Sequence, residues 1–460
     1  MNQWTSQDIE KALGVRANLP FSISNASIDT RTLKPGNLFI ALKGTKSDGH
    51  RYMCIAAQKG ANAALVEYVP KGGWPLPYVL VENTQNALTE LARYARKQSR
   101  AKVIAVTGSV GKTGTKEMLK LALGASGKVH ATHGNLNNHL GLPLTLLHAP
   151  LDADYLVLEL GMSAAGEIEF LTQIARPHCV IITQIAPAHL DSFKSVAEIA
   201  RAKAEIFQGL EPNSYAFIPR DSEFYALLKE EALRHTKAIQ SFGMHADADC
   251  RLIKNTIGKN DKQHFCLNHK QKNYNVVMPA LGAHWARNAS ILPLVLEHVQ
   301  CDIKRGLETL CELEPMAGRG KSYQLNIHGK MIRLIDESYN ASPFSMQAAI
   351  ENLGNAKAER KIAILGDMLE LGPTSQELHK GLAQAIVKSR INLLFACGPY
   401  MKTLYESLPQ NIQGGYSPNA EMLMSYMTPK LKDGDCLLIK GSLGSNMASV
   451  RNDLLNLNQQ

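Results

Sequence analysis

The chain has 460 residues, which is too many for one hydrophobic core and predicts about three domains. Apolar residues make up 45% of the chain and charged residues 20%, a composition typical of globular proteins and not of disordered or fibrous ones. No run of about 18 apolar residues occurs, which argues against a transmembrane helix. The first residues also lack the charged and apolar segments of a signal peptide, so we expect a cytoplasmic protein.

The net charge of +9 raises the question of nucleic-acid binding. The lysines and arginines are dispersed, however, and no basic stripe alternates with aromatic residues, so the pattern favours anionic small molecules as ligands.

The eight cysteines include no C-x-x-C pair, and several, such as Cys397 and Cys436, lie in apolar runs typical of reduced core residues. Cys266 and His269 form one metal-like pair, which without a second pair predicts no metal site.

Residues 1–82 are predicted to form a small α/β domain. Strand and turn signals follow one another at 28–31, 35–36 and 38–44. A helix is predicted over 84–97, at the start of a second domain that spans 83–315.

The clearest motif of the chain begins with four apolar residues, 103–106, which predict a short buried strand. A turn with Gly108 and Gly111 follows, and Lys112 and Thr113 then open an amphipathic helix. Backbone N–H groups in such a turn bind phosphate, the lysine meets the β- and γ-phosphates, and the threonine hydroxyl holds Mg²⁺. The motif therefore predicts binding of a nucleoside triphosphate. The alternative is a glycine turn between strand and helix with no ligand.

This phosphate loop, residues 107–113, departs from the common G-x-x-x-x-G-K-[ST] pattern. Val106 stands where that pattern has its first glycine, which leaves a shortened T-G-x-x-G-K-T sequence. The shortened loop disfavours GTPases and helicase-type motors.

Further apolar runs predict a mostly parallel sheet in the second domain, at 155–160, 179–183 and 215–219. After a glycine-rich hinge, 315–320, the pattern restarts in a third domain, 316–460. Four strands are predicted there, at 332–336, 362–366, 393–397 and 436–440, each followed by polar or glycine residues. Ligands bind beyond the carboxyl ends of strands in open parallel sheets, so the third domain is expected to face a substrate.

Two further residues are candidates for the chemistry. Glu159 ends a predicted strand that neighbours the phosphate loop, where a carboxylate can hold Mg²⁺; the alternative is a helix cap or a pair with a nearby cation. Lys203 stands among alanines and aliphatic residues, an unusual setting for a lysine. The alternative for Lys203 is a surface lysine whose charge reaches water.

Taken together, the motifs resemble those of Mur ligases, in the same order. They are T-G-S-V-G-K-T, N-L-N-N-H-L-G-L-P (135–143), E-L-G-M (159–162), A-H-L-D (188–191), R-A-K-A-E-I-F (201–207), G-A-H-W-A-R-N-A (282–289), D-E-S-Y-N-A-S-P (336–343) and G-D-M-L-E-L-G (366–372) with His379. The resemblance implies three α/β domains: a small UDP-substrate-binding domain, a central ATP-binding domain with a P-loop-type, mostly parallel sheet, and a Rossmann-like domain that binds the incoming dipeptide.

The resemblance also implies an activity. The last two motifs resemble those of the ligase that joins D-alanyl-D-alanine to UDP-N-acetylmuramoyl-tripeptide in bacterial peptidoglycan synthesis. The reaction passes through an acyl phosphate and gives the UDP-pentapeptide, ADP and phosphate. ATP and Mg²⁺ are the implied cofactors, and we expect a monomer without nucleic-acid partners or membrane insertion.

Three alternatives remain. A sibling ligase that adds the third-position diamino acid is expected to carry Asp-Asn-Pro-Arg, which this chain lacks. Folylpoly-γ-glutamate synthetase shares the chemistry but is expected to lack the Y-N-A-S-P and G-D-M-L-E-L-G motifs. A non-ligase P-loop ATPase or nucleic-acid-binding module belongs to another class.

The site residues are implied by the resemblance alone. The implied ATP contacts are Gly108, Ser109, Val110, Gly111, Lys112, Thr113, Gly114, His284, Asn288, Arg319 and Asp336. Thr113 and Glu159 are expected to hold one Mg²⁺, and His189 with carbamylated Lys203 a second; the implied catalytic residues are Lys112, His189 and Lys203. The implied substrate contacts are Asp29, Thr30, Arg31 and Gly44 for the UDP end, Asn135, Asn137 and Asn138 for the sugar-peptide portion, and Tyr339 and Asn340 for the dipeptide. Trp285 stands where the family usually has asparagine.

Overall fold

The first of the three α/β regions in this computed structural model is built on a small parallel sheet. The structure describes residues 4–45, 47–187, 190–258, 262–279 and 282–458. The elements of the first region are β1 (Trp4–Thr5), α1 (Ser6–Leu13), β2 (Ser22–Ile23), β3 (Asn25–Ser27), β4 (Asn37–Ile40), α2 (Met53–Gln58), β5 (Ala63–Val66) and β6 (Tyr78–Leu80). Strands β3, β4, β5 and β6 form a parallel sheet in that order, and β1 pairs with β2 in antiparallel orientation.

Helix α3 (Thr84–Gln98) joins the first region to the second. The Asn83 side chain caps its first turn by accepting a hydrogen bond from the N–H of Asn86. Leu88 and Leu91 of α3 pack in the core of the first region, together with Leu144 from the second. The helix therefore belongs to the packing of both regions.

The second region contains a nine-stranded sheet. Its elements are β7 (Lys102–Thr107), α4 (Lys112–Gly124), β8 (Val129–Ala131), α5 (Gly141–His148), β9 (Tyr155–Glu159), α6 (Glu167–Ala175), β10 (Cys179–Ile182), α7 (Val196–Ala204), β11 (Tyr215–Pro219), α8 (Tyr225–Leu233), β12 (Ile239–Gly243), β13 (Cys250–Ile257), β14 (Gln263–His269), β15 (Lys272–Met278), α9 (Ala283–Ala289), α10 (Leu292–His298) and α11 (Ile303–Glu308). The strand order is β15-β14-β13-β12-β11-β10-β7-β9-β8. Two clusters of buried apolar side chains lie against the sheet.

The predicted strands β7, β9, β10 and β11 are confirmed, and they pair in parallel as predicted. The parallel strands β8 and β12 were not predicted, nor were β13, β14 and β15, of which the pairs β13–β14 and β14–β15 are antiparallel. Antiparallel strands can leave one face to water, so their sequences alternate and contain no continuous apolar run. In β13 most of the residues beyond Leu252 are exposed, which explains why the apolar-run criterion missed it.

The third region contains a six-stranded sheet. Its elements are β16 (Lys321–Ile327), β17 (Lys330–Glu337), α12 (Pro343–Gly354), β18 (Arg360–Gly366), α13 (Ser375–Lys380), α14 (Leu382–Lys388), β19 (Leu393–Cys397), α15 (Pro399–Ser407), β20 (Gln413–Ser417), α16 (Leu423–Met427), β21 (Asp435–Lys440) and α17 (Met447–Leu457). The order is β16-β17-β21-β18-β19-β20, and β16 is antiparallel to β17. The four predicted strands are β17, β18, β19 and β21; β16 and β20 were missed.

Short 3₁₀ helices complete the secondary structure, at Gly49–Tyr52, Glu205–Gly209, Thr309–Glu312, Gly372–Thr374, Gln410–Ile412, Thr428–Lys430 and Leu443–Ser445. All eight cysteines are free thiols, and Cys397 and Cys436 are buried as predicted. Among the residues that the structure describes, no helix combines the length and apolarity needed to cross a membrane.

Candidate active site

The phosphate loop connects the end of β7 to the start of α4 and needs both of its glycines. Gly108 has φ +150° and Gly111 has φ +88°, in the region where side chains are strained. A Cβ at Gly108 would lie 2.0 Å from Thr183 Oγ1, and one at Gly111 would lie 2.3 Å from Asn288 Nδ2. Ser109 N–H donates to Gln184 O at 2.7 Å, so the segment after β10 fixes the loop from one side.

Lys112 spans the loop, because its Nζ donates to Gly108 O at 2.7 Å. Burial lowers the pKa of this amine; the carboxylate of Glu159 opposes the shift and Arg319 adds to it. The amine therefore lies at the mouth of a turn of backbone N–H groups at a helix N-terminus, which is an arrangement that binds phosphate.

Glu159 lies at the carboxyl end of β9, as predicted, and is buried beside the loop. Its Oε2 accepts a hydrogen bond from Thr113 Oγ1 at 2.8 Å, and its Oε1 accepts one from Asn137 Nδ2 at 2.9 Å. Hydroxyl and carboxylate oxygens are the donors that Mg²⁺ prefers, so this pair fits the predicted ion. Among the described residues no group of three or more His, Cys, Asp or Glu side chains forms a metal cluster.

A buried lysine that the sequence analysis missed stands behind this pair. Lys116 is 1% exposed, and its Nζ donates to Thr132 O at 2.7 Å and pairs with Glu117 at 2.8 Å. Thr132 Oγ1 in turn accepts a hydrogen bond from the N–H of Glu159 at 2.9 Å. The available signal was the position of Lys116 one turn after Lys112 on α4.

Lys203 lies on α7 and is 2% exposed, so the surface-lysine alternative is wrong. Burial lowers the pKa of its amine well below the ordinary value; Lys112 adds to the shift, and Glu205 opposes it. A neutral amine is the form that reacts with CO₂. His189, its expected partner at the second metal, lies outside the described residues together with Ala188.

A cavity of about 500 Å³ lies between the second and third regions, over the phosphate loop. It brings together many of the predicted residues: Ser109, Val110, Gly111, Lys112, Thr113, Gly114, Asn137, Asn138, Glu159, His284, Asn288, Arg319, Tyr339 and Asn340. Residues from both regions therefore line one space, with phosphate-binding groups on one side and the carboxyl ends of the third region's strands on the other.

Arg319 and Asp336 have different positions relative to the cavity. Arg319 lines it and stacks over the Tyr339 ring at 4.0 Å. Asp336 is 0% exposed and is not among the lining residues. Its carboxylate accepts hydrogen bonds from Gly318 N–H at 2.5 Å and from Arg451 at 3.2 Å, so it fixes the turn that presents Arg319. A direct ATP contact through Asp336 stays a prediction.

Two charged residues of the cavity wall were also missed. Lys440 Nζ pairs with Glu337 at 3.0 Å and donates to Asn340 O at 3.0 Å, at the carboxyl ends of β21 and β17. Lys440 and Glu337 both affect the pKa of His284 across the cavity. Burial lowers the pKa of His284 to about 4; Glu337 opposes this shift, while Arg287 and Lys440 add to it. His284 is therefore neutral at physiological pH.

His379 acts behind the wall of the cavity. It is fully buried, its Nε2 accepts a hydrogen bond from Met368 N–H at 2.9 Å, and its Nδ1 contacts Ser375 O at 2.5 Å. Burial lowers its pKa. This neutral ring holds the segment 368–371, part of which lines the cavity.

The remaining predicted substrate residues do not line this cavity; they are Asp29, Thr30, Arg31, Gly44 and Asn135. Asp29 and Arg31 form an ion pair at 2.6 Å on the first region. Lys59 Nζ donates to Thr30 O at 2.7 Å. Contact with the far end of a long substrate remains a prediction for these residues.

The fold and the cavity define a three-region α/β protein whose phosphate loop faces a cavity between two of its regions. Residues 22–96 match the model "Mur ligase family, catalytic domain", 106–294 match "Mur ligase middle domain" and 325–443 match "Mur ligase, glutamate ligase domain". A relative from Rickettsia prowazekii, named UDP-N-acetylmuramoyl-tripeptide–D-alanyl-D-alanine ligase, is 36% identical over 97% of this chain and 98% of its own length. The chain belongs to the Mur ligase family.

Solved structures agree with this assignment over nearly the whole chain. MurF from Acinetobacter baumannii superposes with a TM-score of 0.88 at 29% identity and covers 99% of both chains. MurF ligase from Thermotoga maritima, in complex with ADP, superposes with a TM-score of 0.81 at 25% identity and covers 95% of this chain and 98% of that one. The predicted fold class, three α/β domains with parallel-rich sheets, is confirmed.

Proposed function

We propose that this ligase joins D-alanyl-D-alanine to UDP-N-acetylmuramoyl-tripeptide with ATP, giving the UDP-pentapeptide, ADP and phosphate. The observation that carries the proposal is the single cavity in which the phosphate loop and the Thr113–Glu159 pair face Tyr339 and Asn340 of the third region. The name of the relative that matches 97% of the chain supports the substrate assignment.

A carboxylate must be activated before it can form a peptide bond, and ATP does this by forming an acyl phosphate. In the proposed reaction, the loop N–H groups and Lys112 hold the transferred phosphate and neutralise its charge. Thr113 and Glu159 would hold one Mg²⁺, and His189 with carbamylated Lys203 a second; bound Mg²⁺ supplies positive charge at the phosphate oxygens. His284, Asn288, Arg319 and Asp336 complete the proposed ATP site.

The incoming dipeptide attacks through its α-amine, whose ordinary pKa is about 8, so a large share is already neutral at physiological pH. The site therefore needs no strong base. The attack passes through an anionic tetrahedral intermediate, and the remaining requirement is to stabilise this charge and to position the two reactants. Lys112 is proposed to stabilise this negative charge, and Tyr339 and Asn340 are proposed to position the dipeptide.

The far end of the nucleotide-linked substrate is assigned to the first region. Asp29, Thr30, Arg31 and Gly44 are proposed for the UDP end. Asn135, Asn137 and Asn138 are proposed for the sugar-peptide portion, and the contact of Asn137 with Glu159 supports a position between substrate and metal.

The test is a ligation assay followed by mass spectrometry. The protein is incubated with ATP, Mg²⁺, D-alanyl-D-alanine and UDP-N-acetylmuramoyl-tripeptide, and the pentapeptide is expected together with ADP. Parallel reactions replace the tripeptide and dipeptide by the UDP-dipeptide and a diamino acid. Product only in the parallel reactions would favour the sibling ligase, and strong, salt-sensitive oligonucleotide binding without product would favour the nucleic-acid-binding alternative.

A bacterial cytoplasmic location and a monomeric state belong to the same proposal. The eight free cysteines are consistent with a reducing compartment. Size-exclusion chromatography with light scattering tests the monomer, for which a mass of 50.4 kDa is expected.

A further inference from the structure

Trp285 occupies a specific place against the phosphate-loop helix. Its indole lies over Gly114, where a Cβ would come within 2.9 Å of Trp285 Cζ3 and 3.0 Å of Cη2. The ring is half-buried and lines the cavity. Gly114 lies inside α4, a position where glycine is unfavourable for a helix. The absence of a side chain there gives the indole room to reach the cavity.

The first turn of α4 has two different faces. On one face, Thr113 donates a hydrogen bond to Glu159, its partner at the predicted Mg²⁺ site. Gly111 and Gly114 are three residues apart and therefore share another face, which lies against Asn288 and Trp285 of α9. Asn288 and Trp285 also line the cavity, so this second face borders the space beside the phosphate loop.

The composition of the second face suits a nucleobase. Trp285 offers an aromatic surface, and the apolar side chains of Leu313 and Met316 line the same cavity. Asn288 is 4% exposed, and its Oδ1 is without a hydrogen-bond partner among the described residues. A buried acceptor of this kind requires a donor, and the exocyclic amine of adenine is one.

We propose that Trp285 is the residue on which the adenine of ATP stacks, and that it contributes to nucleotide affinity through the base alone. Stacking uses the π-face that every base has, so it adds affinity without reading the hydrogen-bonding edge. The amide of Asn288 would read that edge. Because the inference rests on the proposed ATP-dependent function, its test has to separate the base from the phosphates.

Intrinsic fluorescence provides that test, because the chain has only three tryptophans. Trp4 packs against Tyr94, and Trp74 donates its indole N–H to Tyr68 O; both belong to the first region. Titration with Mg²⁺–ADP is expected to quench the wild-type emission, and Trp285→Phe is expected to lose the quenching. Trp74→Phe is the matched control, and its quenching should persist.

Calorimetry with two ligands gives the second measurement. Trp285→Ala should raise the Kd for Mg²⁺–ADP roughly tenfold, the loss expected for one base–aromatic contact. The Kd for Mg²⁺–tripolyphosphate, which carries phosphates without a base, should not change, and this also shows that the variant is folded. Trp285→Phe should keep most of the ADP affinity.

Two results would overturn the inference while leaving the proposed function in place. One is an unchanged Kd for ADP in Trp285→Ala. The other is tighter ADP binding in that variant, which would identify the indole as a cover over the site. Wild-type protein that binds tripolyphosphate but not ADP would contradict both the inference and the proposed ATP-dependent function.

Discussion

The first and second regions meet differently from the second and third. Arg96 of α3 is buried at the first contact, where its guanidinium donates to Ala175 O at 2.7 Å and to Arg176 O at 2.8 Å. The same helix contributes Leu88 and Leu91 to a shared apolar core. The second contact contains the cavity, lined by charged residues such as Lys112 and Lys440.

This difference indicates which contact stabilises the fold and which one contains the proposed reaction site. Shared apolar packing, and carbonyl groups that accept hydrogen bonds, lower the free energy of the folded state. Charged groups withdrawn from water raise it, and they are retained where they bind a ligand. Substitutions at the first contact should therefore change stability, and substitutions at the second should change activity.

The largest effect is expected for Lys112→Ala. The change removes the cation over the phosphate loop, and ligation should fall roughly 1000-fold, the loss typical of a transition-state charge contact. Circular dichroism and the melting temperature should stay close to those of the wild type. Lys120→Ala, an exposed position on the same helix, is the control. Near-normal turnover in a folded Lys112→Ala protein would refute the assignment of the phosphate loop.

Lys203→Ala should be close to inactive, roughly 1000-fold below the wild type, because the carbamate oxygens that would hold Mg²⁺ are lost and with them several kcal/mol of charge stabilisation. Acetate or formate should restore part of it by entering the space of the missing side chain. Lys203→Arg should not be rescued, since its bulk fills that space and its charge opposes a cation. Turnover is measured across an acetate series at constant ionic strength. Full activity without added acid would leave this lysine without a role in catalysis.

Arg96→Ala tests the first contact. The buried Ala175 O and the partly buried Arg176 O lose a charged donor, and the free energy of unfolding should fall by about 2–3 kcal/mol. The Kd for ADP should remain unchanged. Arg93→Ala, which removes a surface pair with Glu90, should cost at most about 0.5 kcal/mol. Denaturant unfolding measures both, and equal stability of the two variants would contradict the structural role of Arg96.

The last expected effect is a pH dependence of stability in metal-free, bicarbonate-free buffer. Because the pKa of Lys203 is lowered in the folded state, the unfolded chain binds more protons between the folded and unfolded pKa values, so stability rises with pH in that window. Lys203→Met lacks this term. Lys203→Met is expected to be the more stable protein at low pH. The difference in unfolding free energy between the two proteins should shrink by up to about 1.4 kcal/mol per pH unit as the pH rises. Parallel curves for the two proteins would show that Lys203 is not buried in solution.

Much of the fold could be predicted because buried parallel strands are continuous apolar runs. The strands Tyr215–Pro219 and Leu393–Cys397 coincide with their predictions. Strand β20 could not be found this way, since Gly414 and Gly415 give it little β-propensity, and its position comes from pairing with β19.

The chemical centre was only partly predictable, because burial of a charged side chain depends on distant residues. The tip position of Glu159 follows from strand length alone. The burial of Lys116 depends on Thr132, which is 16 residues away. For Lys203, the neighbouring alanines were compatible with both surface and interior positions until the tertiary packing was known. Asp336 matched a motif of ATP contacts, and the sequence could not show that its carboxylate is buried and accepts hydrogen bonds from Gly318, Ser338 and Arg451.

The position of Arg96 also has a consequence for synthesis on the ribosome. Its two carbonyl partners follow it by 79 and 80 residues, so they are made later than the whole first region. At ordinary elongation rates this interval is roughly 4–16 s. During the first part of that time α3 also exposes the apolar face that later meets Leu144 and Leu147. The nascent first region completes its core only after residues 144–147 have emerged, and Arg96 meets its carbonyl partners only after residues 175–176, so this helix depends on protection until then.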